Sequence, residues 1–308
     1  MRILVTGGAG FIGSHLVRAL VSSSFQVRIF DNLSRGSLDN IRDVLASIEF
    51  VEGDVRDYGA VEDVVRGVDA VVHLAALTDV AESTVEPNLY FDVNVRGTYN
   101  VAKASRSVSV LVFASSSAVY GEPVKLPIPE DHPLQPKSPY AATKVAGEAL
   151  VLSFSELYGY RPVVLRLFNV YGPRQSKSYT GVITEFIKRV SRGEPPVIYG
   201  DGRQTRDFVH VADVVEAVVT SIKSSRARGV YNIGSGRAVS VNELAKTIME
   251  LMGRLDLKPI YKPPRPGDVR HSVANISRAF TELRFNPRIH LLEGLRGLIL
   301  GGVASGMM

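Results

Sequence analysis

Tyr140 and Lys144 stand four residues apart in the segment SPYAATK, a spacing that puts both side chains on one face of a helix. Together they form a candidate acid-base pair. A phenol ordinarily ionises near pH 10, so a tyrosine acting as a base near neutrality needs its pKa lowered by about three units, or about 4 kcal/mol. One full positive charge about 5 Å away, at an effective dielectric near 20, supplies roughly 3 kcal/mol of that. A second positive charge beside the phenol would supply the remainder. Taken alone, the pair is weak evidence, because an ordinary amphipathic helix also carries a Tyr and a Lys at this spacing, so its meaning depends on the elements that position it.

Local signals predict that helix. Ser138 suits the N-cap and Pro139 the first helical position, and helix formers continue to Gly159. Far upstream, the chain opens on a predicted strand, RILVTG, and a predicted helix, SHLVRALVSS, joined through GGAGFIG. Gly8, Gly10 and Gly13 satisfy G-x-G-x-x-G; Gly7, Gly10 and Gly13 satisfy the wider G-x-x-G-x-x-G, with Phe11 and Ile12 leading into the helix. Glycine lets the backbone turn sharply and approach a pyrophosphate, which the free amides of the helix start then face.

Asp31 closes the second predicted strand 18 residues past Gly13, near the spacing of about 20 at which a carboxylate meets the adenine-ribose hydroxyls of NAD. It favours NAD over NADP, although Arg35 nearby is able to accommodate a 2′-phosphate. Asn32 follows it. Asp54 and Val55, after the third strand, are candidates for the adenine edge. Leu74, Ala75 and Ala76 come at the end of the fourth strand, where small residues either admit the coenzyme or simply pack closely.

The first half alternates short Val/Ile-rich strands with helical stretches, including a helix over 38–46, and this predicts an α/β fold with a Rossmann-type doubly wound parallel sheet. RPVVLRLFNVYG reads as one further strand. After Asn169 the rhythm loosens into a helix over 183–192 and loops rich in Arg, Gly and Pro, which suggests a smaller ligand-binding lid. VADVVEAVVTSIK and GVYNIGS are expected to return to the first domain. The expected division is therefore 1–168 plus about 211–236 against a discontinuous C-terminal substrate domain of 169–210 plus about 237–308.

At 308 residues and 45% hydrophobic, the chain is long enough for a large core. It has no cysteine, and its six histidines occur singly, so no metal site is expected. The 36 Lys and Arg are interspersed with 31 Asp and Glu, the pattern of a solvated surface more than of a nucleic-acid track. No apolar run approaches the roughly 18 residues of a membrane span, and the N-terminus leads straight into the glycine motif. No membrane partner and a cytoplasmic location are expected.

TGGAGFIGSHL, DNLSRG, GDVRD, VVHLAA, ASSSAVYG, SPYAATK, RLFNVYGPR, GDGRQTRDFVHVAD, YNIGSG and RPGDVR occur in that order from Met1 to Arg270. In this series the chain resembles the extended short-chain dehydrogenase/reductase family, in its nucleotide-sugar branch typified by UDP-glucose 4-epimerase. The resemblance implies that Ser116 bonds the reacting sugar oxygen, Tyr140 is the base, and Lys144 binds the nicotinamide ribose while depressing the Tyr140 pKa. Without it, Ser115, Ser116 and Ser117 are equally able to satisfy backbone groups at a strand end. It further implies that Asn169, Arg206 and Arg265 bind the nucleotide diphosphate, Asp268 the nucleotide ribose and Tyr199 the base. Guanidinium forks suit paired phosphates, although Arg265 in its Pro/Gly loop is equally readable as solvated.

Relatives that remove a hydroxyl as 4,6-dehydratases carry Asp-Glu just after the active hydroxyl residue, where this chain has Ser117 and Ala118. Decarboxylating relatives usually keep a Glu where Ala118 stands. The expected reaction is therefore oxidation and re-reduction at one carbon: an NAD-dependent 4-epimerase of UDP-glucose and UDP-galactose. Ser272, in place of a bulky Tyr, implies room for N-acetyl sugars. A UDP-glucuronate 4-epimerase, another nucleotide-sugar oxidoreductase and a non-catalytic dinucleotide sensor are the alternatives. Helices over 94–105 and 140–157 fall where relatives dimerise, so a homodimer is expected.

Overall fold

The computed structural model describes residues 1–175, 181–264 and 267–304. Its first portion runs β1 (Arg2–Thr6), α1 (Phe11–Ser22), β2 (Gln26–Asp31), a 3₁₀ segment (Leu38–Ser47), β3 (Glu49–Glu52), α2 (Tyr58–Val65), β4 (Ala70–His73), α3 (Val80–Val85) and α4 (Pro87–Tyr90). One π-helical turn (Phe91–Arg96) joins α4 to α5 (Gly97–Ala104), followed by β5 (Val110–Ser116), α6 (Pro139–Tyr158) and β6 (Arg161–Leu167). The second portion holds β7 (Asn169–Tyr171), α7 (Val182–Ser191), β8 (Val197–Tyr199), β9 (Thr205–Arg206), β10 (Phe208–His210), α8 (Val211–Lys223) and β11 (Gly229–Ile233). β12 (Val239–Ser240), α9 (Val241–Leu251), β13 (Ile260–Lys262), β14 (His271–Ser272), α10 (Ser277–Leu283) and α11 (Leu291–Ala304) complete it.

Seven strands form one sheet in the order β11-β6-β5-β4-β1-β2-β3, each neighbouring pair parallel. This is the expected doubly wound Rossmann topology. Alternation along the strands explains why both faces are dry: Ile3 and Val5, Val110 and Val112, and Val163 and Leu165 enter one core with α1 and α8 residues. Leu4, Leu111, Phe113 and Val164 enter the other, beside Val101 of α5 and Val151 of α6. Two-residue periodicity with apolar residues at every position leaves no face for water. A third core gathers Ile183, Phe186 and Val190 of α7 with Leu244 and Ile248 of α9.

Three expectations need correction. RPVVLRLFNVYG is not one strand: β6 stops at Leu167, Phe168 N–H bonds the Ile233 carbonyl at 2.9 Å, and β7 pairs instead with β10. Apolar residues on both sides of the break hide it from periodicity. The 38–46 helix is a 3₁₀ run over Leu38–Ser47 with Ser37 as its cap, and the 94–105 helix begins inside the π turn.

Candidate active site

Parallel pairing brings the ends of β1, β4 and β5 to one edge of the sheet. The glycine turn occupies the first of these ends. A Cβ on Gly7 would stand 2.7 Å from Ala75 N, and one on Gly13 would stand 2.2 Å from Gly7 O, so neither position admits a side chain. Gly10 has only the Gly7 carbonyl, at 3.2 Å, in reach of such an atom, which leaves its outer side open to a ligand. α1 begins there without any side-chain cap, so its first amides are available to an anion.

Asp31, at the end of β2, is buried. Burial raises its pKa, while the amides of Leu33 (2.8 Å) and Ala9 (2.9 Å) that its carboxylate accepts act the other way. It thus ties the end of β2 to the glycine turn. Asn32 donates to Asp54 at 2.8 Å, and Asp54 is also gripped by Arg56 through two bonds. The Arg56 guanidinium is the main reason the Asp54 pKa falls to about 2. Val55 is buried, and its carbonyl accepts from Asn100 at 2.9 Å. Leu74, Ala75 and Ala76 lie just past β4, with Ala75 N–H directed at the Thr6 hydroxyl at 3.3 Å.

α6 has the predicted caps: the Ser138 side chain accepts from Ala141 N–H, Pro139 opens the helix, and Gly159 closes it in the left-handed region at φ 78°. It also lies close on β5. A Cβ at Gly147 would come within 2.6 Å of the Phe113 ring, so glycine sets that distance. Tyr140 is buried beside Leu77 and Tyr90, its ring edge-on to Tyr90 at 6.5 Å. One turn on, the Lys144 ammonium donates to the Ala114 carbonyl at 2.8 Å and lies 5.0 Å from the Phe113 ring centre. Burial lowers the Lys144 pKa to about 8, with the Glu148 charge opposing the shift. Near neutrality Lys144 remains mostly a cation.

The serine run is sorted by its partners. Ser115 is buried and donates to Glu148, which is itself held by a bidentate Arg166 at 2.7 and 2.9 Å. Ser116 ends β5 half-buried, and its hydroxyl accepts the Ala118 amide at 3.2 Å, which leaves the O–H as a donor. Arg166 also reaches Tyr120, whose hydroxyl donates to Asn232 at 2.6 Å. Glu148 and Arg166 therefore bolt α6 to β5 and β6 from within.

Sequence reasoning missed a second network under the site. Asn94, in the π turn, donates to the Leu77 carbonyl (2.9 Å) and to Thr143 (3.0 Å), and accepts from Leu77 N–H (2.8 Å). Its backbone carbonyl accepts the Thr98 hydroxyl at 2.5 Å. That commits Thr98 as acceptor toward His73 Nε2 at 3.0 Å, so His73 carries its proton on Nε2 and accepts from Thr6 at Nδ1, 2.7 Å away. Burial, assisted by the Lys144 charge, pushes the His73 pKa down to about 3 and keeps the ring neutral. The chain of bonds runs from the glycine-turn strand to the residue before Lys144. A π turn often marks a functional site, but nothing in the sequence announces one.

On the other side, Asn169 starts β7 and bonds the Asp207 carbonyl through both its backbone and side-chain N–H, at 3.0 and 3.2 Å. Arg206 and Ser272 are register partners in β9 and β14, and Ser272 is buried. The Arg206 guanidinium forms a close ion pair with Asp268, so these two residues meet each other. Tyr199, in β8, accepts on its carbonyl from Gln204 at 2.6 Å. Behind them Asp207, fully buried, accepts four bonds from Ser235, Gly236 and Ala274. Arg265 lies outside the described residues. Among the described residues no three His, Asp or Glu side chains gather to hold a metal ion.

A seven-stranded parallel sheet, a glycine turn after its first strand and a Tyr-x-x-x-Lys helix against its fifth define a Rossmann-type dinucleotide enzyme. Residues 3–234 match the NAD dependent epimerase/dehydratase family, and the chain belongs to it. UDP-glucose 4-epimerase of Mycolicibacterium smegmatis is 39% identical over 302 residues, covering 96% of this chain and 96% of that protein. The structure of UDP-glucose 4-epimerase from Thermotoga maritima, solved with UDP-glucose, superposes with a TM-score of 0.93 at 39% identity and covers 100% of both chains. UDP-N-acetylglucosamine 4-epimerase from Methanobrevibacter ruminantium, in complex with UDP-N-acetylmuramic acid, gives 0.93 at 38% identity, covering 99% of this chain and 98% of that one. The uncapped glycine turn and the buried Asp31 fit the family's coenzyme, NAD, at its pyrophosphate and adenine ribose.

Proposed function

We propose that the protein is an NAD-dependent nucleotide-sugar 4-epimerase that interconverts UDP-glucose and UDP-galactose through a 4-keto sugar. The observation that carries this reading is the Tyr140 helix, held to the end of β5 with Lys144 buried as a cation and Ser116 at the strand terminus. NAD, when bound, supplies the acceptor and donor of a hydride at C4. Tyr140 takes the proton of the sugar 4-hydroxyl and later returns one. Lys144 favours the phenolate, and Ser116 donates to the reacting oxygen. Asn94 and Glu148 keep α6 in register with the sheet edge.

In this reading Gly7, Gly10, Phe11, Ile12 and Gly13 receive the pyrophosphate, Asp31 and Asn32 the adenine ribose, and Asp54 and Val55 the adenine. Leu74, Ala75 and Ala76 flank the coenzyme. Asn169, Arg206 and Arg265 hold the substrate diphosphate, with Asp268 at its ribose, Tyr199 at its base and Ser272 beside the sugar. The two bodies would be 1–168 plus about 211–236 and 169–210 plus about 237–308.

Ser117 and Ala118 lack the acid pair that removal of a hydroxyl requires, which favours epimerisation over dehydration. The small Ser272 favours acceptance of N-acetyl sugars as well. A homodimer through the outer faces of the π turn, α5 and α6 is part of the proposal: Phe91, Tyr99 and Leu157 are exposed there, and Phe154 stacks on Tyr158. Joint Tyr99→Glu and Leu157→Glu substitution should convert dimer to monomer by sedimentation, and an unchanged wild-type monomer would refute this face. A cytoplasmic role in galactose metabolism follows from the substrates, which are charged and cannot cross a bilayer unaided.

The purified enzyme, given UDP-glucose, UDP-galactose, UDP-GlcNAc and UDP-GalNAc separately, should form the C4 epimer of each with NAD consumed in none. Stoichiometric NADH release, or loss of water from the sugar, would overturn the assignment. Epimerisation of the non-acetylated pair alone would remove only the Ser272 inference.

A further inference from the structure

NAD and NADP differ by one phosphate on the adenine ribose, and a protein that accepts the phosphate usually offers a guanidinium beside the second strand of the sheet. This chain has such a guanidinium. Arg35 lies four residues past Asp31, in a segment folded over the glycine turn: Ser37 N–H bonds the Ala9 carbonyl at 3.1 Å, and a Cβ on Gly36 would meet Ala9 at 2.9 Å. The Asp31 carboxylate, which bonds Ala9 N–H, stands at the root of the same segment.

Arg35 is nevertheless committed elsewhere. It forms a close ion pair with Glu82 of α3, 47 residues away in sequence. Glu82 is itself a fixed anchor, because its second oxygen accepts the Tyr90 hydroxyl at 2.9 Å and its backbone N–H bonds the Asp79 side chain at 2.9 Å. The pair is half-exposed, with side-chain exposures of 42% and 32%, so it adds little to folding stability. The other guanidinium at this end, Arg56, is clasped by Asp54 at 2.7 and 2.9 Å. Each described cation around the expected adenine ribose is thus matched by a carboxylate, and Asp31 adds a further negative charge.

We propose that Glu82 is a positioning residue for coenzyme selection, holding Arg35 away from the ribose 2′ position so that the chain rejects NADP through two carboxylates, Asp31 directly and Glu82 by way of Arg35. The proposal rests on the reading of the glycine turn as an NAD site. Glu82 is invisible to motif reasoning because it lies outside the glycine motif and reaches the ribose end only through a side chain from another loop.

The test is competitive displacement of bound NADH fluorescence by NAD+ and by NADP+. Wild-type protein should bind NAD+ at least about 100-fold tighter than NADP+, the scale on which a buried carboxylate with no cation beside it repels a phosphate. Glu82→Gln should tighten NADP+ roughly tenfold, the worth of one freed charge-assisted contact, with NAD+ within about twofold. Glu82→Asp should restore most of the discrimination, and adding Arg35→Met to Glu82→Gln should erase the gain. An unchanged NADP+/NAD+ ratio in Glu82→Gln, or a gain that survives loss of Arg35, would overturn the role of Glu82 while leaving the coenzyme site intact. Failure of the wild type to bind either coenzyme would overturn the site reading and this proposal with it.

Discussion

The platform beneath α6 and the loop cluster around Arg206 handle polar groups in opposite ways. Under α6, His73, Asn94, Thr98, Thr143, Lys144, Glu148 and Arg166 are all buried, and each has a named partner inside the protein. Around Arg206 the charged groups pair near solvent: Arg206 with Asp268, Arg270 with Asp201, and Lys137 with Glu122. Buried networks of matched partners are rigid and costly to disturb. Ion pairs open to solvent are worth about 0–1 kcal/mol and exchange readily; the Arg206–Asp268 pair is open on its Asp268 side, so on the proposed reading a substrate diphosphate would take Arg206 from Asp268 at little cost. On the proposed reading, the contrast separates a fixed catalytic surface from a grip that re-forms around each nucleotide.

Substitutions on the platform should therefore change kcat or stability, whereas those in the loop cluster should change KM. Tyr140→Phe keeps the ring packed on Tyr90 and Leu77 and removes only the ionisable hydroxyl. Its kcat should fall by about 10³, within the usual range for loss of a general base, with NAD binding retained. A drop below tenfold in steady-state kinetics would remove Tyr140 from the chemistry.

Acid stability isolates His73. Its folded pKa, near 3, lies below the ordinary 6.5, so below pH 6.5 the unfolded chain binds a proton that the folded chain refuses, and stability falls with pH. The part lost between pH 6.5 and about 5 precedes most carboxylate titration and should reach about 2 kcal/mol. His15 and His210, also depressed by burial, contribute in the same direction. Urea melts across that window should be flatter for His73→Asn than for the wild type. Equal slopes would show that His73 is not the buried neutral group described.

In the loop cluster, Arg206→Ala should raise the KM for a UDP-sugar by roughly 10- to 100-fold with kcat changed less than about threefold, because binding is lost equally in ground and transition states. An equal fall in kcat would make Arg206 part of the platform. The smallest predicted shift is one of stability, and it is a gain. Lys144 is protonated at neutral pH although burial brings its pKa from 10.5 to about 8, so the folded protein carries a costly ammonium whose penalty fades as pH rises through 8 toward 10.5. Lys144→Met should abolish turnover yet stabilise the fold at pH 7 by about 1–2 kcal/mol, less at pH 9.5. Destabilisation at pH 7 would mean the ammonium is better satisfied than its burial implies.

The same contrast explains what could be read in advance. The glycine turn, Asp31 and the caps of α6 are local: Ser138, Pro139 and Gly159 act within a few residues of the backbone they shape. The sheet topology followed from strand-helix alternation for the same reason. The platform network was illegible because its bonds join residues distant in sequence, Thr6 with His73 across 67 positions and Asn94 with Thr143 across 49. Each is an unremarkable polar residue until folding brings it to its partner. The break at Phe168 was hidden in turn, because Leu167 and Phe168 are both buried and apolar, and only the pairing of β7 with β10 reveals it.

The most direct test of reversible hydride movement at one carbon uses UDP-glucose carrying deuterium at C4, with no coenzyme added. The UDP-galactose formed should have inverted configuration and keep its deuterium at C4 through many turnovers, as read by NMR and mass spectrometry. Deuterium lost to water, or retained in a product dehydrated at C6, would contradict the account.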